Sequence, residues 1–150
     1  ILLGAGTILD AEIIPELVED GIDFGVSPGL DADVVSACSG SSFPLFPGVL
    51  TPTEVSKALS MGCKTLKFFP AEPAGGAVYL KALAAPFKAE GVQFVPTGNI
   101  TLTEAPSYWA LPEVIAVGGS WLVTGKMVAA NRFDEITRLA KEALALRQEN

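Results

Sequence analysis

The chain is predicted to be one α/β domain, residues 1–150, built from repeated strand–helix units. Three observations predict it. Six short apolar runs recur along the 150 residues, helical patterns lie between them, and no linker or low-complexity stretch breaks the alternation. The runs are near-continuously apolar, as parallel strands covered on both faces are. Composition agrees. The chain is 49% hydrophobic and 18% charged, with mean hydropathy +0.42, the profile of a well-buried globular domain and not of a disordered one.

The first run, "ILLGAGT" (1–7), opens the chain without a methionine and inside an apolar stretch, as if a domain had been cut. "DAEIIPELVEDG" then predicts a helix from Asp10, with Ile13, Ile14, Leu17 and Val18 on the core face and Pro15 delaying the first regular turn. The second run is "DFGVSPG" (23–29) and the third is "PLFPG" (44–48). "TPTEVSKALSMG" follows. Thr51 is placed as N-cap, Pro52 at the first helical position and Glu54 at the third, which makes a capping box, and Gly62 suits the left-handed position after the helix. The fourth run is "TLKFFP" (65–70) and the fifth "QFVPTG" (93–98). "TLTEAPSYWAL" offers a second box, Thr101 with Glu104, made irregular by Pro106. The sixth run is "VIAVGGS" (114–120). The last segment, "FDEITRLAKEALALRQEN", predicts an amphipathic helix with Ile136, Leu139, Ala140, Ala143 and Leu144 on one face. Two architectures fit this alternation, a doubly wound open sheet and a (β/α) barrel.

Several function classes are excluded. A net charge of −7 argues against general nucleic-acid binding. No apolar run has the length of a bilayer span. The chain has no histidine, which removes Ser-His-Asp and Cys-His catalysis and His-ligated zinc. Cys38 and Cys63 sit in no metal spacing and read as free thiols in a reducing cytoplasm, with one disulfide as the alternative.

Every run ends in small or rigid residues: Gly4-Ala5-Gly6-Thr7, Ser27-Pro28-Gly29, Pro47-Gly48, Pro70-Ala71-Glu72, Thr97-Gly98-Asn99 and Gly118-Gly119-Ser120. Parallel α/β folds place their sites at these strand ends. Glycine and proline also simply turn the chain, but six such ends together suggest a site around a small ligand. In barrels the loops after the last two strands often hold a phosphate through backbone N–H groups and a helix N-terminus. Gly98, Asn99, Gly118, Gly119 and Ser120 are the candidates for that role.

Lys67 stands between Leu66 and Phe68 in the fourth run. The period of two puts Thr65, Lys67 and Phe69 on one face and Leu66 and Phe68 on the other. If the first face is a barrel interior, apolar surroundings disfavour the ammonium. The neutral amine can then attack a ketone to form a Schiff base. If that face points outward, Lys67 snorkels between helices, as Lys64 is expected to do.

At these residues the chain resembles the 2-keto-3-deoxy-6-phosphogluconate (KDPG) aldolases, also called KHG/KDPG aldolases. The matching motifs are "GAGT" (4–7), "SPGL" (27–30), "FPGVLTPTE" (46–54), "KFFPAE" (67–72), "PTGNI" (96–100) and "GGSWLV" (118–123), in family order over almost the whole chain. The resemblance implies a class I aldolase on a TIM (β/α)8 barrel, trimeric and cytoplasmic, needing no metal or organic cofactor. It implies cleavage of KDPG to pyruvate and glyceraldehyde 3-phosphate, and of 4-hydroxy-2-oxoglutarate (KHG) to pyruvate and glyoxylate. By matched position, Lys67 is the Schiff-base lysine and Thr7, Pro28, Phe69 and Thr97 line the pyruvate end. Gly98, Gly118, Gly119 and Ser120 fall on the phosphate site, where Asn99 replaces a common glycine.

"ILLGAGT" matches the third barrel strand of the family, so the expectation is a chain of about six βα units lacking the first two. The family's catalytic glutamate and a substrate-binding arginine would precede Ile1 and have no match. Glu72 is a possible substitute base, although it does not match the family's catalytic position. The competing reading is a non-catalytic phospho-sugar-acid binding or assembly module made of an incomplete barrel. Another phosphate-binding barrel enzyme, such as an isomerase, is disfavoured by Lys67 with no histidine.

Overall fold

The computed structural model describes residues 1–148. Its strands are β1 (Gly4–Ala5), β2 (Phe24–Val26), β3 (Leu45–Phe46), β4 (Gly48–Val49), β5 (Thr65–Phe68) and β6 (Gln93–Pro96). Its α-helices are α1 (Ile14–Glu19), α2 (Ala32–Gly40), α3 (Pro52–Ser60), α4 (Gly76–Ala84), α5 (Ala105–Trp109), α6 (Gly125–Ala129) and α7 (Phe133–Gln148). Short 3-10 helices span Ala11–Ile13 and Ala85–Glu90. No helix among the described residues is long and apolar enough to cross a membrane.

All strand pairs are parallel, and the order follows the chain: β1-β2-β3 in one sheet, β4-β5-β6 in the other. The two sheets share one strand, which the run at 44–48 splits into β3 and β4 around Pro47. Its carbonyls serve both neighbours. Pro44 and Phe46 accept from Gly25 and Ser27 of the β2 segment at 2.8 and 3.4 Å, and Pro47 and Val49 accept from Lys67 and Phe69 at 2.9 and 3.3 Å. Prolines fit here because they have no N–H to donate. A doubly wound sheet reverses its strand order. Sequential parallel order is the winding of a barrel wall, and it decides between the two architectures.

The sixth run is corrected. Residues 114–118 are not a regular strand but make two isolated parallel bridges, Phe94↔Val114 and Thr97↔Gly118. Ile115 donates to the Phe94 carbonyl at 3.1 Å and Gly118 to the Pro96 carbonyl at 2.9 Å. Three residues on one side therefore span two on the other, which is a bulge, and the ladder breaks.

The helices lie against one face of this wall. Leu66 and Phe68 of β5 and Phe94 of β6 are buried with Val55 and Ala58 of α3, Leu80, Leu83 and Ala84 of α4, and Tyr108 of α5. A smaller cluster joins Ile8, Ile14, Val34, Cys38 and Phe43 under α1 and α2. Helix α3 forms as its caps predict. Thr51 Oγ1 accepts from the Glu54 N–H at 3.4 Å, and Glu54 Oε2 accepts from the Thr51 N–H at 2.7 Å. At its far end Gly62 has φ +83°. There Gly62 donates to the Leu59 carbonyl at 2.9 Å and Cys63 to the Ala58 carbonyl at 3.0 Å, a Schellman close.

Three helical expectations need correction. Around α1, Ile14 is buried and Leu17 half-buried, but Ile13 and Val18 are exposed. The 3-10 turn at 11–13 leaves α1 six residues long, and its i, i+3 pair Ile14 and Leu17 packs into the smaller cluster. Helix α5 is five residues long and starts at Ala105, because Pro106 must sit in its first turn. Thr101 and Glu104 still bond, but in the turn before it. On α7 the half-buried apolar residues are Ile136, Leu139, Ala143 and Leu146, while Ala140 and Leu144 face out.

Candidate functional site

The site is assembled at the carboxyl ends of the strands, on the face opposite the helices. Leu66 and Phe68 are fully buried beneath α3, α4 and α5. Alternation then places Lys67 and Phe69 on the interior face. The inward reading of Lys67 therefore holds. Its Nζ lies 4.5 Å from the centroid of the Phe69 ring. Lys67 is half-buried, and desolvation lowers its pKa below the ordinary lysine value.

The register sets its neighbours. Gly48, Lys67 and Val95 stand side by side across β4, β5 and β6. A Cβ on Gly48 would collide with the Pro28 carbonyl, so the bare glycine lets the Pro28–Gly29 backbone cross beside Lys67. On the other side, Thr97 donates its N–H to the Phe68 carbonyl at 3.0 Å. Its side chain packs on Gly118, where a Cβ would collide with Thr97 Cγ2. Thr97 Oγ1 is buried without a hydrogen-bond partner. An orphaned hydroxyl at a strand end suits a ligand that supplies the missing partner.

The turn after β6 is tied to the turn after β5, which contains a cis Phe69–Pro70 bond. Ala71 donates to the Thr97 carbonyl at 2.9 Å and Glu72 to the Gly98 carbonyl at 3.1 Å. Gly98 has φ +116°, and a Cβ there would lie 2.9 Å from Ala71 N and 3.3 Å from the Phe69 ring. Only glycine fits. Asn99 has φ +59°. Asparagine tolerates this conformation better than other side-chain-bearing residues, which explains how it can replace a glycine. Thr7, at the end of β1, has φ +58°. For a β-branched residue that is a strained geometry, of the kind that gathers at functional sites.

The structure thus gathers Lys67, Phe69, Pro28, Thr97, Gly98 and Gly118. Thr7 lies at the same strand-end face, three strands along from Lys67. Asn99 and Ser120 are exposed at the rim. The helix expected to aim at the anion starts only at Gly125 and runs for five residues, so it adds no N-terminal site beside Ser120. Gly119 is filled differently. A Cβ there would collide with the Trp121 indole nitrogen, which is itself buried and unpartnered. Glu72 turns toward the helix layer, where Tyr108 donates its hydroxyl to Oε1 at 2.6 Å. That removes the basis for treating it as a free base beside Lys67. Sequence reading missed Tyr108, which lies 36 residues from Glu72 and has no local signal.

Comparisons with known proteins point the same way. Residues 1–139 match the family model "KDPG and KHG aldolase". A 2-dehydro-3-deoxy-phosphogluconate aldolase of Treponema pallidum is 43% identical over 146 residues, which are 97% of this chain and 69% of that protein. Among solved structures, the 2-keto-3-deoxy-6-phosphogluconate aldolase of Zymomonas mobilis with 3-phosphoglycerate aligns with TM-score 0.85 and 43% identity, over 95% of this chain and 66% of that one. The Legionella pneumophila KDPG aldolase with pyruvate captured as a covalent carbinolamine aligns with TM-score 0.87 and 37% identity, over 97% of this chain and 68% of that one. The chain spans about two thirds of the length of these relatives. With a family model matching nearly its whole length, and a strand lysine held in an apolar strand-end site, the chain belongs to the KDPG and KHG aldolase family.

Proposed function

We propose that this chain carries the Schiff-base centre of a class I aldolase. Its substrate is KDPG, cleaved to pyruvate and glyceraldehyde 3-phosphate, with KHG, cleaved to pyruvate and glyoxylate, as a second substrate. One observation carries the reading: Lys67 stands on the interior face with its ammonium form disfavoured by burial. The neutral amine attacks the keto carbon to give a carbinolamine, and loss of water gives a protonated imine. That imine draws electrons from the bond between its α carbon and the hydroxyl-bearing carbon as the substrate hydroxyl loses its proton. Breaking the bond releases the aldehyde and leaves an enamine. Protonation of the enamine carbon and hydrolysis release pyruvate and restore Lys67.

Phe69, Pro28, Thr97 and Thr7 are read as lining the pyruvate end, Gly98, Asn99, Gly118, Gly119 and Ser120 as the phosphate end. Gly98 and Asn99 support this. Their N–H groups donate to no acceptor among the described residues, whereas the carbonyls of Thr97 and Gly98 are both engaged. The proton shuttle is not assigned to Glu72. The same reading takes these residues as about six units of one eight-unit barrel domain, in a cytoplasmic homotrimer. The sequential parallel order supports the barrel.

The test is pyruvate release from KDPG in a coupled assay, beside a Lys67→Arg variant. Arginine keeps its proton and cannot act as the amine. Loss of turnover in the variant, with phosphate binding retained, is expected. Equal turnover in both proteins would overturn the reading. Phosphate binding with no cleavage by either would favour the binding module.

A further inference from the structure

The loop after β5 and the loop after β6 are joined by more than proximity. The carbonyls of Thr97 and Gly98 accept from the N–H groups of Ala71 and Glu72 at 2.9 and 3.1 Å. In a trans peptide the carbonyl and the next N–H point in opposite directions. Fixing these two carbonyls on the 71–72 side therefore turns the N–H groups of Gly98 and Asn99 the other way, outward. Glu72 is the second post of this clamp, and its own position is set from a distance. Tyr108 of α5, fully buried, donates its hydroxyl to Glu72 Oε1 at 2.6 Å. Gly76 packs beside the carboxylate, which would lie 3.6 Å from a Cβ there, an ordinary contact. Burial and the neighbouring Glu72 and Glu104 carboxylates hold the Tyr108 phenol well above the usual tyrosine range, so it stays a donor.

We infer that Glu72, held by Tyr108, is a positioning residue that aims the Gly98 and Asn99 amides at the phosphate of a phosphorylated keto-acid substrate. The inference rests on the proposed aldolase reading and deepens it. It assigns Glu72 to substrate choice and not to proton transfer. Its carboxylate faces the helix layer, so its charge is turned from the anion while its backbone holds the loop.

The test compares wild type with Glu72→Ala, Glu72→Gln and Tyr108→Phe. KDPG and KHG are ideal probes, since only the first carries a phosphate. Inorganic phosphate binding, measured by calorimetry, serves as a readout without turnover. Glu72→Ala is expected to raise KM for KDPG about 10-fold more than KM for KHG, and to weaken phosphate about 10-fold, equivalent to about 1.4 kcal/mol. Tyr108→Phe should move in the same direction. Glu72→Gln should restore wild-type values, because its amide oxygen still accepts from Tyr108. Equal effects on both substrates, or failure of Glu72→Gln to restore phosphate binding, would overturn the inference. Wild type that cleaves neither substrate would overturn the aldolase reading instead, and undiminished phosphate binding in Glu72→Ala would still separately reject the role of Glu72.

Discussion

Lys67 keeps a lowered pKa because its neighbours replace water with apolar surface. The sign of the consequence is fixed. The unfolded chain binds the Lys67 proton more tightly than the folded one, so stability rises with pH through the folded-state pKa toward the ordinary value of 10.5. Lys67→Met should therefore raise the melting temperature near neutral pH, and the gain should shrink as pH approaches that value. A gain constant across pH would show that burial does not act on the charge. At Gly98, alanine should cost more than about 1 kcal/mol, because φ is left-handed and the new Cβ meets backbone. Asn99→Val should cost about 1–2 kcal/mol in chemical denaturation, and Asn99→Gly much less. The period of two grouped Lys67 with Thr65 and Phe69, but which way that face points was settled only by the burial of Leu66 and Phe68 under the helices. The left-handed Thr7 was not legible, since nothing about a threonine announces that conformation.

At the scale of elements, legibility followed locality. The ends of α3 were readable because a capping box and a Schellman glycine are set by residues within one turn of each other. Glu54 sits in that box. Burial alone would raise its pKa, but hydrogen bonds from Leu50 and Thr51 outweigh burial and lower it. A lowered carboxylate stabilises above its unfolded value of 4.5, and that contribution is lost as pH falls through the folded-state value. Thr51→Ala should cost about 1 kcal/mol. Glu54→Gln should destabilise at neutral pH and converge on wild type in acid, read from denaturation midpoints. The bulge at 114–118 was not readable, because its broken ladder depends on β6. The core face of α1 was misjudged for a similar reason, as a 3-10 turn at 11–13 shifted which residues met the smaller cluster.

Across the whole molecule, repeated βα alternation was legible but strand order was not, since order is a tertiary property. The choice of a barrel came from motif resemblance and then from the sequential pairing. Phe68 shows how the two faces of one strand divide labour, being fully buried beside the interior Lys67 and stacked 6.0 Å from Tyr79. Phe68→Ala should cost about 3–5 kcal/mol. Leu2, Leu3 and Leu9 are exposed near β1, which among the described residues pairs with β2 alone. Such an edge invites pairing. The 150-residue chain should therefore associate with rising concentration in light scattering, and Leu3→Lys should reduce that association. A concentration-independent monomer would contradict this.

The central claim is that Lys67 is the amine that bonds to the substrate. Incubating the chain with pyruvate, reducing with borohydride and mapping the product by peptide mass spectrometry tests it most directly. A single reduced pyruvyl adduct on Lys67, absent in Lys67→Arg, is the expected result. An adduct on Lys64 or Lys81 with Lys67 unmodified would contradict it.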